Sequence, residues 1–139
     1  MKKIYATLFL FLILSQPGCK KFIQQQEQNA IVSAVTNGYW YVSQYLQNDS
    51  DITASFAGYL FKFDTNGTVT GTKDGVSVKG VWTADINTRT IVSSFPTAGD
   101  PLKYLNETWI ITDSSPSFVK AKSTDPGSGA ANILQLKKQ

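Results

Sequence analysis

The chain has no histidine, one cysteine and one arginine in its 139 residues. Without histidine the commonest general base is missing, and so is the usual nitrogen ligand of zinc. A single cysteine, Cys19, permits no internal disulfide, so the fold must rest on a hydrophobic core. With Arg89 as the sole arginine and no basic stripe, the electrostatic footprint of a nucleic-acid binder is absent. No run is long enough to cross a membrane as a helix. The longest, Ile4 to Leu14, has about 11 residues where roughly 20 are needed.

That short run is informative by its flanks. Met1-Lys2-Lys3 precedes it, and Ser15-Gln16-Pro17-Gly18-Cys19 follows. A basic start, an apolar stretch and a small residue before the cut are the parts of a secretory signal peptide. Cysteine directly after the small residue resembles the lipobox of bacterial lipoproteins, although Gln16 and Pro17 are atypical there. The resemblance implies a signal peptide over 1–18 and a lipid on Cys19. It also implies a membrane partner reached through that lipid. A lone thiol in an oxidising compartment would otherwise be liable to pair between molecules. Lys20 and Lys21 replace the acids of inner-membrane retention and surface-export signals. An outer-membrane lipoprotein facing the periplasm is therefore expected, with the cell surface as the alternative.

Lys2 and Lys3 leave with the signal peptide, so the 13 basic residues fall to 11 against 10 acidic ones. What remains suits one domain. Residues 19–29 are polar and glutamine-rich and read as a tether. Within Ala30 to Thr36, Ile31, Val32 and Val35 recur at helical spacing, and Asn37-Gly38 is a stop signal. A short helix is predicted there, at the start of a domain over 30–139.

From Tyr39 the period changes to two. Strands are predicted at 39–46, 58–64, 67–73, 76–84, 89–95, 107–113, 117–123 and 132–138. Asp64-Thr65-Asn66-Gly67 and Asp74-Gly75 supply hairpin turns, because such turns demand positive φ. Thr124 to Gly129 is a loop. No segment leaves room for a crossover helix, so the strands form an antiparallel meander. One face carries Trp40, Val42, Val76, Val78, Trp82, Trp109 and Leu134; the other is rich in threonine and lysine. The expected fold is all-β: an eight-stranded antiparallel up-and-down barrel, with a two-sheet sandwich as runner-up.

Gly38-Tyr39-Trp40, the segment Phe56 to Phe63 leading to Asn66-Gly67-Thr68-Val69, Gly80-Val81-Trp82 and Leu105 to Trp109 resemble the lipocalin-like lipoproteins of Bacteroidetes-type bacteria. The resemblance spans about residues 37–138. It implies a lipocalin-like barrel that binds a small apolar molecule. True lipocalins place a late arginine over the first tryptophan; here only a lysine such as Lys120 or Lys122 could substitute.

Two functional readings stay open. In the first, inward Tyr59, Phe61, Phe63, Trp82, Phe95 and Trp109 line a pocket for an apolar guest. The pocket would open beside the long connections Gln47–Ala57 and Pro96–Asn106, whose alternative role is to close the barrel end with Ile52, Phe56, Leu102 and Leu105. In the second, the same rings fill the barrel and the protein is an interaction or scaffold module. Tyr39, Tyr41 and Tyr45 would then form an outward patch with Leu60 and Phe118, unless the helix covers it. Gly71, Gly80, Ser93 and Ala121 either make room for rings or leave a void. No catalytic group, cofactor or metal is expected: the serines have no visible base, and Asp49-Ser50-Asp51 offers too few oxygens for calcium.

Overall fold

A computed structural model describes residues 18–124 and 130–139. The expected signal peptide 1–18, apart from Gly18, and most of the last loop lie outside the described residues. The element order is α1 (Gly18–Thr36), β1 (Trp40–Gln47), β2 (Ser50–Asp51), β3 (Leu60–Phe63), β4 (Thr68–Lys73), β5 (Val76–Asp85), β6 (Thr90–Ser94), β7 (Glu107–Ser115), β8 (Phe118–Thr124) and β9 (Ala131–Lys138). Two 3-10 turns, Thr53–Phe56 and Leu102–Leu105, sit in the long connections.

β1 and β3 to β9 form a closed antiparallel barrel, with β2 a two-residue appendix on β1. Closure comes from β1 and β9, which pair from Trp40 against Lys138 to Gln47 against Asn132. The up-and-down order follows from the short turns. Asp74 and Gly75 both have positive φ, 51° and 78°, as a two-residue hairpin requires. Gly67 has φ 85° at the preceding turn.

The seam between β1 and β3 is thin. Only Trp40 and Phe61 are paired across it. Beyond that pair the 48–59 connection takes the place of β3. The Ile52 amide donates to the Tyr45 carbonyl at 3.0 Å, and the Tyr45 amide donates to Thr53 Oγ1 at 2.8 Å. Both backbone groups of Tyr45 are thereby satisfied without a full neighbouring strand.

Two bulges break the period-two pattern. Register shifts between Val42 and Gln44 in β1, and between Ile111 and Asp113 in β7. An extra residue reverses the facing of everything after it. Tyr45, expected outward with Tyr39 and Tyr41, therefore points inward and is 1% exposed. Val76, expected inward, lies at the β4–β5 turn and is 67% exposed.

α1 is longer than the sequence pattern predicts: it runs back through the glutamine-rich stretch read as a tether. Its hold on the barrel explains why. The Gln28 side chain donates to the Ala84 carbonyl at 2.8 Å and accepts from the Ile86 amide at 3.0 Å. At the other end all four terminal carbonyls, which a helix leaves without internal partners, meet side chains. Thr36 Oγ1 reaches Ser33 at 3.4 Å, Lys138 Nζ reaches Ala34 at 3.1 Å and Trp40 Nε1 reaches Val35 at 2.8 Å. Lys62 Nζ donates to Thr36. Two ammonium groups at the negative end of the helix dipole add to the fit. The helix covers one open end of the barrel and leaves Tyr39 and Tyr41 exposed on the outer wall.

Candidate functional site

The interior is built from rings set by alternation along each strand. Phe61 and Phe95 meet edge to face at 6.3 Å, Phe63 and Trp82 at 5.4 Å, and Tyr45 and Trp109 at 5.9 Å between centroids. These distances fall in the favourable range for aromatic pairs. The glycines make room for them. A Cβ on Gly71 would come within 3.1 Å of the Phe61 ring, and one on Gly80 within 2.9 Å of Phe95.

What space is left is small. An apolar void of about 40 Å³ lies between Phe61, Phe63, Phe95, Trp109 and the smaller Ala121 and Ser93. Of the six aromatic residues proposed from sequence as ligand contacts, these four line it. Trp82 does not: it is buried against Phe63, and its indole N–H donates to the Asp64 carbonyl at 3.0 Å. Tyr59 does not either. It is half-buried beside Ala98 and Leu102 in an outer groove, with Lys73 Nζ 5.4 Å from its ring centre.

The loop end, where sequence placed the mouth, is plugged. Phe56 and Leu102 are each 2% exposed, and Leu105 is buried with them. Phe56 stacks on Tyr45 at 5.2 Å. The Tyr45 hydroxyl donates to the Tyr104 carbonyl at 2.7 Å, tying one long connection to the core beneath the other. Burial, with Glu107 and Tyr104 nearby, raises the pKa of the Tyr45 hydroxyl well above the ordinary tyrosine value. The two long connections thus close this end.

Acidic residues in the loops are engaged locally. Asp51 Oδ1 accepts from the Thr53 amide at 2.9 Å and from its hydroxyl at 2.5 Å, which holds the carboxyl below its usual range. Asp100 pairs with Lys103 at 2.5 Å and is lowered likewise. Among the described residues no three potential metal ligands come together. Nor is any described helix long and apolar enough to cross a membrane. Cys19 falls in the first turn of α1.

The opposite end holds the residues that sequence reasoning missed. Lys138 Nζ lies 5.1 Å from the centre of the Trp40 ring, within cation–π range. The lysine over the first tryptophan is therefore Lys138, not Lys120 or Lys122, which stand on β8 in register with Gln135 and Ile133. Inward pointing at the last strand position was the available signal, since Lys138 alternates with Leu136 and Leu134. Gln28 had no such signal.

No family model matches the chain, and no curated protein matches it. Among solved structures it is similar to the crystal structure of a DUF4847 family protein from Bacteroides vulgatus. The TM-score is 0.54 at 16% identity, covering 78% of this chain and 99% of that one. At that identity the likeness is one of fold: a barrel shared with a Bacteroides protein.

Proposed function

We propose that this is a lipid-anchored, non-catalytic domain of the bacterial cell envelope. In this reading its lipocalin-like barrel is a packed scaffold, not an interior ligand chamber. The observation that carries it is the 40 Å³ void, far below the roughly 300–1,000 Å³ of a small-molecule pocket. The signal-like segment before Cys19 supports the anchor, and Lys20 and Lys21 favour the periplasmic face of the outer membrane. Any partner then meets the outside of the barrel, where Tyr39 and Tyr41 stand 52% and 37% exposed.

Two measurements test the two halves. Cys19→Ser should move the protein out of the membrane fraction or leave it unprocessed; a wild-type protein that is soluble with a free thiol removes the anchor. Ala121→Leu adds bulk beside the void. A packed interior should lose about 1–3 kcal/mol in urea unfolding. Unchanged or increased stability would mean a chamber with room to spare.

A further inference from the structure

A second cavity, of about 220 Å³, lies between α1 and the helix-side rim of the barrel. Its roof is made by the small side chains Ala30 and Ala34. Trp40, Ile91 and Val119 form its floor, and with Val35 they are also walls of the interior void. Ile31, Ile111 and Ser114 continue from it into a wider trough of about 380 Å³ along the helix. The far part of that trough is charged, with Glu27, Asp85 and Arg89 on its rim.

The hydrogen bonds between helix and barrel leave this recess free. Gln28 binds the β5–β6 turn on one side of it, and the carbonyls of Ala34 to Thr36 are bound on the other. The rim is held at the Asp85 carboxylate and at the backbone of Arg89. Asp85 accepts from the Asn87 amide at 2.8 Å, and the Arg89 carbonyl accepts from the Ile111 amide at 2.8 Å. Arg89 makes no salt bridge with another described residue.

We propose that the recess under α1 binds a single-chain zwitterionic lipid, with its acyl chain end over Trp40 and its head at the Arg89 rim. The apolar end would strip water from a polar guest without returning hydrogen bonds. Its volume suits one chain and is too small for two. Arg89 lines this rim together with two acidic residues, Glu27 and Asp85. A head bearing both phosphate and amine satisfies both signs, with the phosphate on Arg89. A simple carboxylate head would meet Glu27 and Asp85 as like charges. The site lies outside the barrel interior and does not rest on the scaffold reading, which Ala121→Leu tests separately.

The experiment uses the full chain carrying Cys19→Ser, titrated below micelle formation with lauroyl lysophosphatidylethanolamine and, in parallel, dodecanoate. Chemical-shift changes should gather at Ala30, Ala34, Ile111 and the Trp40 indole. Ala34→Leu and, as a second variant, Ala30→Leu fill the roof. Whichever keeps the wild-type melting temperature should weaken binding at least about tenfold, the loss of one apolar contact surface of this size. Arg89→Gln should weaken the lysophospholipid by about tenfold, as for a lost charge-assisted bond. Absence of binding overturns the proposal. So do shifts centred on Phe56 and Leu102, undiminished binding by a folded roof variant, or dodecanoate binding as tightly as the zwitterion.

Discussion

At Gly80 a single hydrogen atom decides whether two strands and a ring fit together. A Cβ there would lie 2.4 Å from the Ser94 carbonyl oxygen, which is backbone, as well as against Phe95. Neither neighbour yields cheaply, because β5 and β6 are locked in register from Val81 to Asp85. Gly80→Ala should therefore lose about 1–3 kcal/mol in urea unfolding, as overpacked cores do. A loss below about 0.5 kcal/mol, the range of a neutral surface change, would mean that the strands can part. Tyr45 gives a residue-scale prediction in pH. Its hydroxyl is neutral in the folded protein to a higher pH than in the unfolded chain, where it titrates near 10. Between those two values the folded state holds the proton that the unfolded state has released, so stability falls as pH rises. The contribution is complete below about pH 10 and declines above it. Tyr45→Phe loses the hydrogen bond to Tyr104 but cannot ionise. The stability gap between wild type and variant should narrow as pH rises past that point; a constant gap would show that Tyr45 ionises as freely when folded.

Among the elements α1 depends most on others. Its sequence has weak amphipathic character, and its glutamine-rich half carries few apolar residues, so helix formation there leans on anchoring to the barrel. The anchoring is concentrated at its C-terminus, where Lys138 serves twice. Its ammonium caps the Ala34 carbonyl, and it sits over the Trp40 ring. Lys138→Met keeps the aliphatic stem and removes both contacts. It should cost about 1–2 kcal/mol, the sum expected of a helix-end cation and a cation–π contact. Amide exchange should accelerate across residues 31–36 while β4 and β5 stay protected. Equal acceleration everywhere would assign Lys138 to the barrel as a whole rather than to the helix.

Across the whole molecule, the barrel was legible because its eight strands alternate and its turns carry Asn-Gly and Asp-Gly. Most of the inward face follows from that, including Trp40, Phe61, Trp82 and Trp109. What was not legible depends on closure or on a one-residue insertion. The bulge at Ser43 turned Tyr45 inward, and nothing in Trp-Tyr-Val-Ser-Gln-Tyr announces it. Lys138 meets Trp40 only because the last strand pairs with the first, a contact between residues 98 positions apart. Gln28 reads as solvated until the β5–β6 turn is brought beneath it. For the long connections the sequence left two roles open, binding loop or end plug, because length alone does not tell a lid from a plug; buried Phe56, Leu102 and Leu105 make them a plug. The thin β1–β3 seam is the remaining consequence of closure, and it is held by Thr53. That hydroxyl accepts from the buried-side amide of Tyr45 and is itself oriented by donating to Asp51. Thr53→Val keeps the shape, removes the acceptor and leaves the Tyr45 amide without its partner. A loss of about 1–3 kcal/mol is expected, as for an unsatisfied buried donor. Exchange at the Tyr45 and Ile52 amides should rise ahead of global unfolding, because the seam would open before the paired strands separate. If those amides exchange only with the whole barrel, the 48–59 connection is a decoration on the seam and not what closes it.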